Sequence, residues 1–128
     1  MTRSFLSDLT STTLAKSLDA ASLRHSVIAN NIANVETPGF KRSDVSFQSQ
    51  LKNAISSMNE TTATRNVERI QPEVETDYLS PEGPNGNNVS IDKEMAEMTK
   101  NNLEYEALVR LMNIKGNMLQ TAITEGKR

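Results

Sequence analysis

His25 is the single histidine of the chain, and Ser26 follows it directly, so these two residues are the first candidates for a catalytic base and its nucleophile. Adjacent residues on a helix point about 100° apart, because the helix has ~3.6 residues per turn. The pair therefore cannot form the hydrogen bond on which a serine–histidine mechanism depends. His25 also lies in a heptad pattern of apolar residues, and we interpret it as a polar seam residue or a half-exposed imidazole. From the sequence we expect no catalytic residue, and we expect that the protein is not an enzyme.

The other groups that could do chemistry are carboxylates, a glycine-containing loop and one basic pair. With one His and no Cys there is no zinc ligand set, and Glu73, Glu75 and Asp77 lack the central glycine of a calcium loop, so we interpret them as solvated charge. The segment NGNN at 85–88 has no phosphate-binding signature and is typical of a turn. The Lys-Arg pair at 41–42 is too small to bind nucleic acid in a chain of net charge −2, and we interpret it as a solvated loop end. We expect no metal, no cofactor and no nucleic-acid partner.

Composition indicates one small domain with a modest core. The chain has 128 residues, 36% of them hydrophobic, with no Trp, two Tyr and three Phe, and its mean hydropathy is −0.52. No apolar run approaches the ~20 residues of a membrane span, so we expect no membrane insertion. The start, MTRSFLSDLTSTT, is rich in Ser and Thr and lacks the apolar centre of a cleaved signal peptide. We expect residues 1–12 to be flexible, and the chain either to stay in the cytoplasm or to leave it without a cleaved signal.

A first helix is predicted over residues 13–35. Seven residues follow a 4-3 heptad spacing, which is typical of a helix with one apolar seam: Leu14, Leu18, Ala21, His25, Ile28, Ile32 and Val35. The regular part of the helix should run from about Thr12 to Ala33. Asn34 can then take the left-handed conformation that closes a helix.

The helix is followed by a turn with a strong signature. Thr37-Pro38-Gly39-Phe40 has Pro at the second position and Gly at the third, which predicts a type II turn with a positive φ at Gly39. Proline also disfavours a helical conformation at Thr37. Asn30 and Asn31 stand just before the helix end, where they either face solvent or hydrogen-bond the backbone of a neighbouring chain.

A second, longer helix is predicted over residues 91–128. The 4-3 spacing continues there for more than four heptads: Ile91, Met95, Met98, Asn102, Tyr105, Val109, Met112, Gly116, Leu119 and Ile123. Asp92 is a plausible N-cap for this helix. Asn102 occupies a seam position, where a buried Asn sets the register of a coiled coil.

The middle segment, residues 36–90, is expected to be irregular. The spacing from Val45 to Met58 predicts one short amphipathic helix. A polar run, NETTATRN, follows it, and the stretch VERIQPEVETDYL is typical of a short extended ribbon or an edge strand. The segment 80–88 is a loop by composition.

The predicted fold class is mainly α. The two terminal helices form an antiparallel, coiled-coil-like hairpin, and the middle segment holds a short helix and a short β ribbon. A hairpin of two narrow seams leaves rows of Met, Leu and Ile exposed, and such rows mark interaction surfaces. We therefore expect copies of the chain to pack side by side, with a self-contained monomer as the alternative.

Two stretches of the chain resemble one protein family. ANNIANVETPGFKRSDVSF, residues 29–47, is similar to the N-terminal signature of the flagellar rod, hook and hook-associated axial proteins. Residues 85–123, from NGNNVSIDKEM to LQTAI, resemble the matching C-terminal helix of that family. The short middle segment, TPGFK and the NGNNV-x-x-DKEM motif favour one of the two proximal rod proteins, with the other, FlgC, as the alternative. Val35-Glu36 and Phe40 depart mildly from the usual pattern.

The resemblance implies a structural subunit that the flagellar type III apparatus exports by an uncleaved N-terminal signal into the rod of the basal body. It implies as partners other copies of the chain, the rod subunits FlgC, FlgF and FlgG, the adaptor FliE and the MS ring. A soluble helical adaptor or export chaperone is the alternative class. The expected assembly interface comprises Leu14, Leu18, Ala21, Ile28, Asn31, Ile32, Asn34, Pro38, Gly39, Phe40, Met95, Met98, Asn102, Tyr105, Val109, Met112, Leu119 and Ile123.

Overall fold

The computed structural model describes residues 8–56 and 59–126, and over these residues it is mainly helical. Its elements are α1 (Leu9–Ala33), β1 (Ser43–Ser46), α2 (Gln48–Ile55), α3 (Glu60–Glu68), β2 (Glu73–Thr76) and α4 (Ile91–Gly126). The long helices α1 and α4 run antiparallel, because Asp8 pairs with Lys115 at one end and Asn31 with Glu94 at the other. The predicted class is confirmed: two long terminal helices enclose a middle with short helices and a small ribbon.

Helix α1 begins earlier than its seam predicts. The Asp8 side chain accepts a hydrogen bond from the Ser11 backbone N–H at 2.7 Å and caps the helix, so residues 9–12 are helical. Residues 1–7, the rest of the segment expected to be flexible, lie outside the described residues. The helix ends at Ala33 as expected, but the predicted left-handed Asn34 is wrong. Its φ is −106°, and its backbone N–H bonds the carbonyls of Asn30 and Asn31.

Helix α1 buries two faces. One face packs on α4 through Leu14, Ala21 and Ile28, three residues of the predicted seam. Ala20, on the adjacent face, lies in the apolar core that α1 forms with β1, α2 and α3. The other buried members of that core are Val45, Phe47, Ala54, Val67 and Ile70. The middle segment thus supplies the core that two helices alone lack.

The middle segment is more ordered than predicted. The polar run NETTATRN forms most of α3, because the Asn59 side chain caps it by accepting from the Thr62 N–H, and Ala63 and Val67 face the core one turn apart. The short amphipathic helix is α2, which begins at Gln48 rather than near Val45; Met58 lies outside the described residues. The stretch VERIQPEVETDYL contains β2, as predicted, and β2 pairs antiparallel with β1, with Val45 opposite Val74. The start of the stretch, Val67 and Glu68, belongs instead to α3, and Val45 lies in a strand rather than in the predicted short helix.

Helix α4 turns a different face inward than the heptad pattern predicts. Glu94 and Asn101 are buried, whereas Met95 and Asn102 are exposed. The buried asparagine is therefore Asn101, whose side-chain N–H₂ donates to the Ala21 carbonyl at 2.8 Å. Buried polar groups take the positions where partners exist, and both residues meet partners on α1. The N-cap prediction also fails, since Asp92 lies within the first turn.

Within the described residues, no helix has both the length and the apolar character needed to cross a membrane.

Candidate functional site

The strongest polar cluster of the described residues joins the end of α1 to the start of α4. It consists of Asn31, Arg42, Asp77, Asn87, Asn88 and Glu94, and we call it the polar joint. These residues come from α1, the segment before β1, the segment after β2, the loop before α4, and α4 itself. Five separate parts of the chain therefore meet there.

Glu94 is the buried centre of the polar joint. Its side chain is 1% exposed, and its two oxygens accept from Arg42 Nε at 2.7 Å and from Asn31 Nδ2 at 3.1 Å. Asn31, also fully buried, donates to the Ser43 carbonyl and accepts from the Ser43 N–H, each at 2.9 Å. The Asn31 side-chain amide thus hydrogen-bonds the backbone of β1 as a neighbouring strand would. Through these bonds and its bond to Glu94, Asn31 connects α1, β1 and α4.

Arg42 connects the buried Glu94 to two further members of the polar joint, Asp77 and Asn88. Its Nη1 donates to Asp77 Oδ2 at 3.1 Å, and its carbonyl accepts from the Asp77 N–H at 2.8 Å. Asn88 lies beside this pair: its Oδ1 accepts from the Arg42 N–H, and its Nδ2 donates to the Asp77 carbonyl, both at 2.7 Å. The interpretation of Arg42 and Asp77 as solvated charges is wrong, because both bind partners far away in sequence.

The turn after α1 is held by the loop before α4. The Phe40 N–H donates to the Thr37 carbonyl, and Gly39 has φ +74°, which confirms the predicted turn. Asn87 Nδ2 donates to the carbonyls of Asn34 and Thr37, both at 2.8 Å. The Gly39 N–H donates to the Asn85 carbonyl at 2.8 Å. The NGNN segment is a turn as predicted, and its asparagines also fasten the end of α1.

The surroundings of Asp77, Arg42 and Asp8 favour the charged form of each side chain. Hydrogen bonds from the Ser80 hydroxyl, then from the backbone N–H groups of Ser80 and Leu79, and then from Arg42 lower the pKa of Asp77 far below its ordinary value. Partial burial opposes the charge on Arg42, but Glu94, Asp77 and Asp44 outweigh it and raise the Arg42 pKa. At the other end of α1, burial acts to raise the pKa of Asp8, but Lys115 and Ser11 outweigh it, so the pKa is lowered.

The chemistry of the polar joint is that of a structural connection. Its groups are carboxylates, amides and a guanidinium, each engaged in hydrogen bonds or ion pairs within the subunit. The described residues include no cluster of His, Cys, Asp and Glu suited to a metal ion. His25 lies exposed on α1, outside the polar joint. One signal for the joint was available in the sequence, namely the asparagines at 30, 31, 34, 85, 87 and 88 that flank both helices. Their pairing was not predictable, since the partners are about 50 residues apart.

The residues of the expected assembly interface divide into three groups. Buried inside the subunit are Leu14, Ala21, Ile28 and Asn31. Partly buried are Leu18, Ile32, Asn34, Phe40, Met98, Val109, Met112 and Leu119. Exposed are Pro38, Gly39, Met95, Asn102, Tyr105 and Ile123. The buried group holds the subunit itself together, and the exposed group faces outward.

Comparison with known proteins agrees with the resemblance of the two motifs. A family model described as "Flagella basal body rod protein" matches residues 13–41, that is, α1 from Thr13 and the turn after it. The flagellar basal body rod protein FlgB of Bacillus subtilis (strain 168) is 40% identical over 123 residues, covering 89% of this chain and 92% of that protein. The chain belongs to the FlgB family of flagellar basal body rod proteins.

Other FlgB proteins match over similar lengths. FlgB of Borrelia hermsii is 39% identical over 110 residues, covering 73% of this chain and 80% of that protein. FlgB of Escherichia coli (strain K12) is 30% identical over 123 residues, covering 83% of this chain and 89% of that protein. The resemblance to the axial proteins is therefore confirmed, and FlgB is favoured over FlgC.

Proposed function

We propose that this chain is a structural, non-catalytic subunit of the proximal rod in the flagellar basal body. The main observation behind the proposal is that the chain belongs to the FlgB family. The fold supports it, because the polar joint fixes the relation between the two terminal helices and the middle segment, as a load-transmitting subunit requires. The subunit would assemble through surfaces that the hairpin leaves uncovered.

The outer face of α4 is the main surface proposed for assembly. Leu111, Ile114 and Met118 follow a 3-4 spacing there and are about half exposed or more. An apolar row of this kind marks an interaction site. Residues 116–126 also extend past the pair formed by Asp8 and Lys115, by roughly 16 Å at ~1.5 Å per residue. Met95, Tyr105 and Ile123 of the expected interface are exposed as well, whereas Asn31 belongs to the interior and is left out of the assembly surface.

We further propose that the type III apparatus exports the chain without a cleaved signal and that the subunit works in the periplasmic part of the basal body. Its neighbours would be further copies of the chain, FlgC, FlgF, FlgG, the adaptor FliE and the MS ring. The absence of Cys suits an exported chain, because no thiol can cross-link it in an oxidising compartment.

Ile114→Asp tests this proposal, with Asn113→Asp as a matched control. Both substitutions add one carboxylate at an exposed position of α4, but only Ile114 belongs to the apolar row. Thermal unfolding of the free chain should be nearly unchanged for both. Incorporation into purified basal bodies should fall by about tenfold or more for Ile114→Asp, since a buried unpaired carboxylate costs several kcal/mol.

Normal incorporation of Ile114→Asp would show that this face of α4 is not an assembly surface. Recovery of the unmodified chain only in the cytoplasm, with none in basal bodies, would favour a helical adaptor or export chaperone instead.

A further inference from the structure

Tyr78 and Leu79 form an exposed apolar pair after β2, which we call the apolar tip. Tyr78 is 75% exposed and Leu79 is 96% exposed. Single exposed apolar residues are common, but two large neighbouring side chains held outward together are typical of a contact site. Nothing in the packing of the described subunit uses them.

The backbone under the apolar tip is firmly held. Asp77 Oδ1 accepts from the N–H groups of Leu79 and Ser80 at 2.9 and 3.0 Å, and Oδ2 accepts from the Ser80 hydroxyl at 2.6 Å. Arg42 and Asn88 bind Asp77 from the polar joint. An apolar pair presented on a fixed backbone loses little conformational entropy on binding, which favours affinity.

A matching groove lies elsewhere on the same chain. It has a volume of about 420 Å³ and lies between α1, α2 and α4, and we call it the side groove. Its apolar walls include Phe47, Leu51, Ile55 and Leu108. Ile55 is 42% exposed, so the groove offers apolar surface that the subunit itself does not cover.

We propose that the apolar tip of one copy inserts into the side groove of a second copy. Charge supports this pairing. Asp77 and Glu82 are paired within the subunit with Arg42 and Lys41, but Glu73 and Glu75 on β2 are exposed carboxylates outside the ion pairs of the described residues. Lys52 and Arg24 line the side groove, with Glu104 paired to Arg24 at 3.7 Å. The tip does not occupy the groove of its own chain, because Tyr78 and Leu79 are 75% and 96% exposed. Asp77 beside them is bound through Arg42 to Glu94, which is about 15 Å along α4 from Glu104 at the groove.

A contact of this kind is heterologous, because two different surfaces meet. Repetition of a heterologous contact generates rings or helical filaments rather than closed dimers. This inference rests on the proposed function, because a helical rod needs a repeated contact of this kind. It assigns that contact to the apolar tip and the side groove.

Disulfide trapping tests the contact directly, because the natural chain has no Cys. Full-length Leu79→Cys is mixed with epitope-tagged Ala107→Cys, a substitution at an exposed position that lines the side groove, and a mild oxidant is added. The control mixture replaces the second chain by tagged Glu106→Cys, which is exposed on α4 but does not line the groove. The first mixture should give at least about fivefold more tagged heterodimer, since the contact raises the local thiol concentration. No excess over the control would overturn the proposal.

Basal-body incorporation of the double variant Tyr78→Ser/Leu79→Ser separates this inference from the proposed function. We expect incorporation to fall severalfold while thermal unfolding is unchanged, because both side chains are exposed in the free subunit. Normal incorporation would overturn the tip-and-groove contact and leave the rod function standing. Absence of the unmodified chain from basal bodies would instead count against the rod function.

Discussion

Arg42 illustrates how much of this subunit depends on one side chain. Its guanidinium binds the buried Glu94 and Asp77 at the same time, and its backbone binds Asn88 and Asp77. A planar group with several fixed donors suits this task, whereas the single ammonium of Lys does not. Removing Arg42 would leave the Glu94 carboxylate buried without its cation.

Arg42→Ala should therefore lower the free energy of unfolding by about 3 kcal/mol, at the low end for a broken buried ion pair because the Arg42 side chain is 18% exposed. Arg110→Ala, which removes an exposed arginine of α4, should change it by about 0.5 kcal/mol or less. Urea denaturation of the full chain measures both. Equal midpoints for the two variants would show that Arg42 does not stabilise the joint.

Asp77 should make the stability of the subunit depend on acid pH. Its pKa is lower in the folded chain than in the unfolded chain, so the stabilisation is fully present above the ordinary carboxyl pKa of about 4 and is lost as the pH falls below it. In urea titrations from about pH 5 to pH 2, Asp77→Asn should lose stability less steeply than the natural chain. Asp19→Asn, at an exposed position of α1, serves as the control. A slope for Asp77→Asn equal to that of the natural chain would contradict the assignment.

Single residues were predictable where the signal is local. The turn at Gly39 followed from four consecutive residues. Arg42 and Asp77 were misassigned because their partners lie 52 and 35 residues away, and no local pattern marks such a pair.

At the scale of elements, the two long helices were predictable because heptad spacing is a strong periodic signal. The face of α4 that packs inward was not predictable. It includes the polar residues Glu94 and Asn101, which a hydrophobic pattern assigns to solvent. Helix α3 was missed for a similar reason: its segment has only Ala63 and Val67 as apolar residues, and they contribute through contact with α1 and α2. Tertiary contacts decided both outcomes.

The turn and the last helix contain two glycines that should respond to alanine in opposite ways. Gly39 has φ +74° with no atom within 4 Å of an added Cβ, so Gly39→Ala should cost about 1 kcal/mol through backbone strain alone. Gly116 lies in α4, also with open space, and Gly116→Ala should stabilise by up to about 1 kcal/mol. Urea denaturation measures both changes. Stabilisation by Gly39→Ala would show that the turn does not require a positive φ.

Gly39→Val places a bulkier residue at the same turn and should separate export from assembly. On the proposed export route the chain would be exported unfolded and would not need the turn, so secretion should persist. The strained turn disturbs the contacts of Asn85 and Asn87, and basal-body incorporation should therefore fall. Secretion and incorporation are assayed side by side. Loss of secretion itself would show that the export machinery recognises the motif.

At the scale of the whole molecule, the subunit is unevenly supported along α4. Its first part packs on α1 and is fastened by Glu94 and Asn101. Beyond Lys115, the structure places Leu119 as a half-buried residue and leaves the others through 126 exposed. The stability of a helix in a protein comes mainly from packing, so the two ends of α4 should differ in local stability.

Hydrogen exchange of the free full-length chain should therefore show slow exchange over residues 91–104 and fast exchange over 116–126. The reason is that opening the second region exposes little buried surface, whereas opening the first breaks the bonds of Glu94 and Asn101. The measurement needs a chain verified as a monomer by sedimentation, because a neighbouring copy would protect the exposed face. Uniform protection along α4 in such a monomer would mean that the hairpin is self-sufficient and would weaken the case for assembly on this face. Fast exchange that becomes slow over 116–126 in isolated rods would show that neighbouring subunits supply the packing that this end lacks.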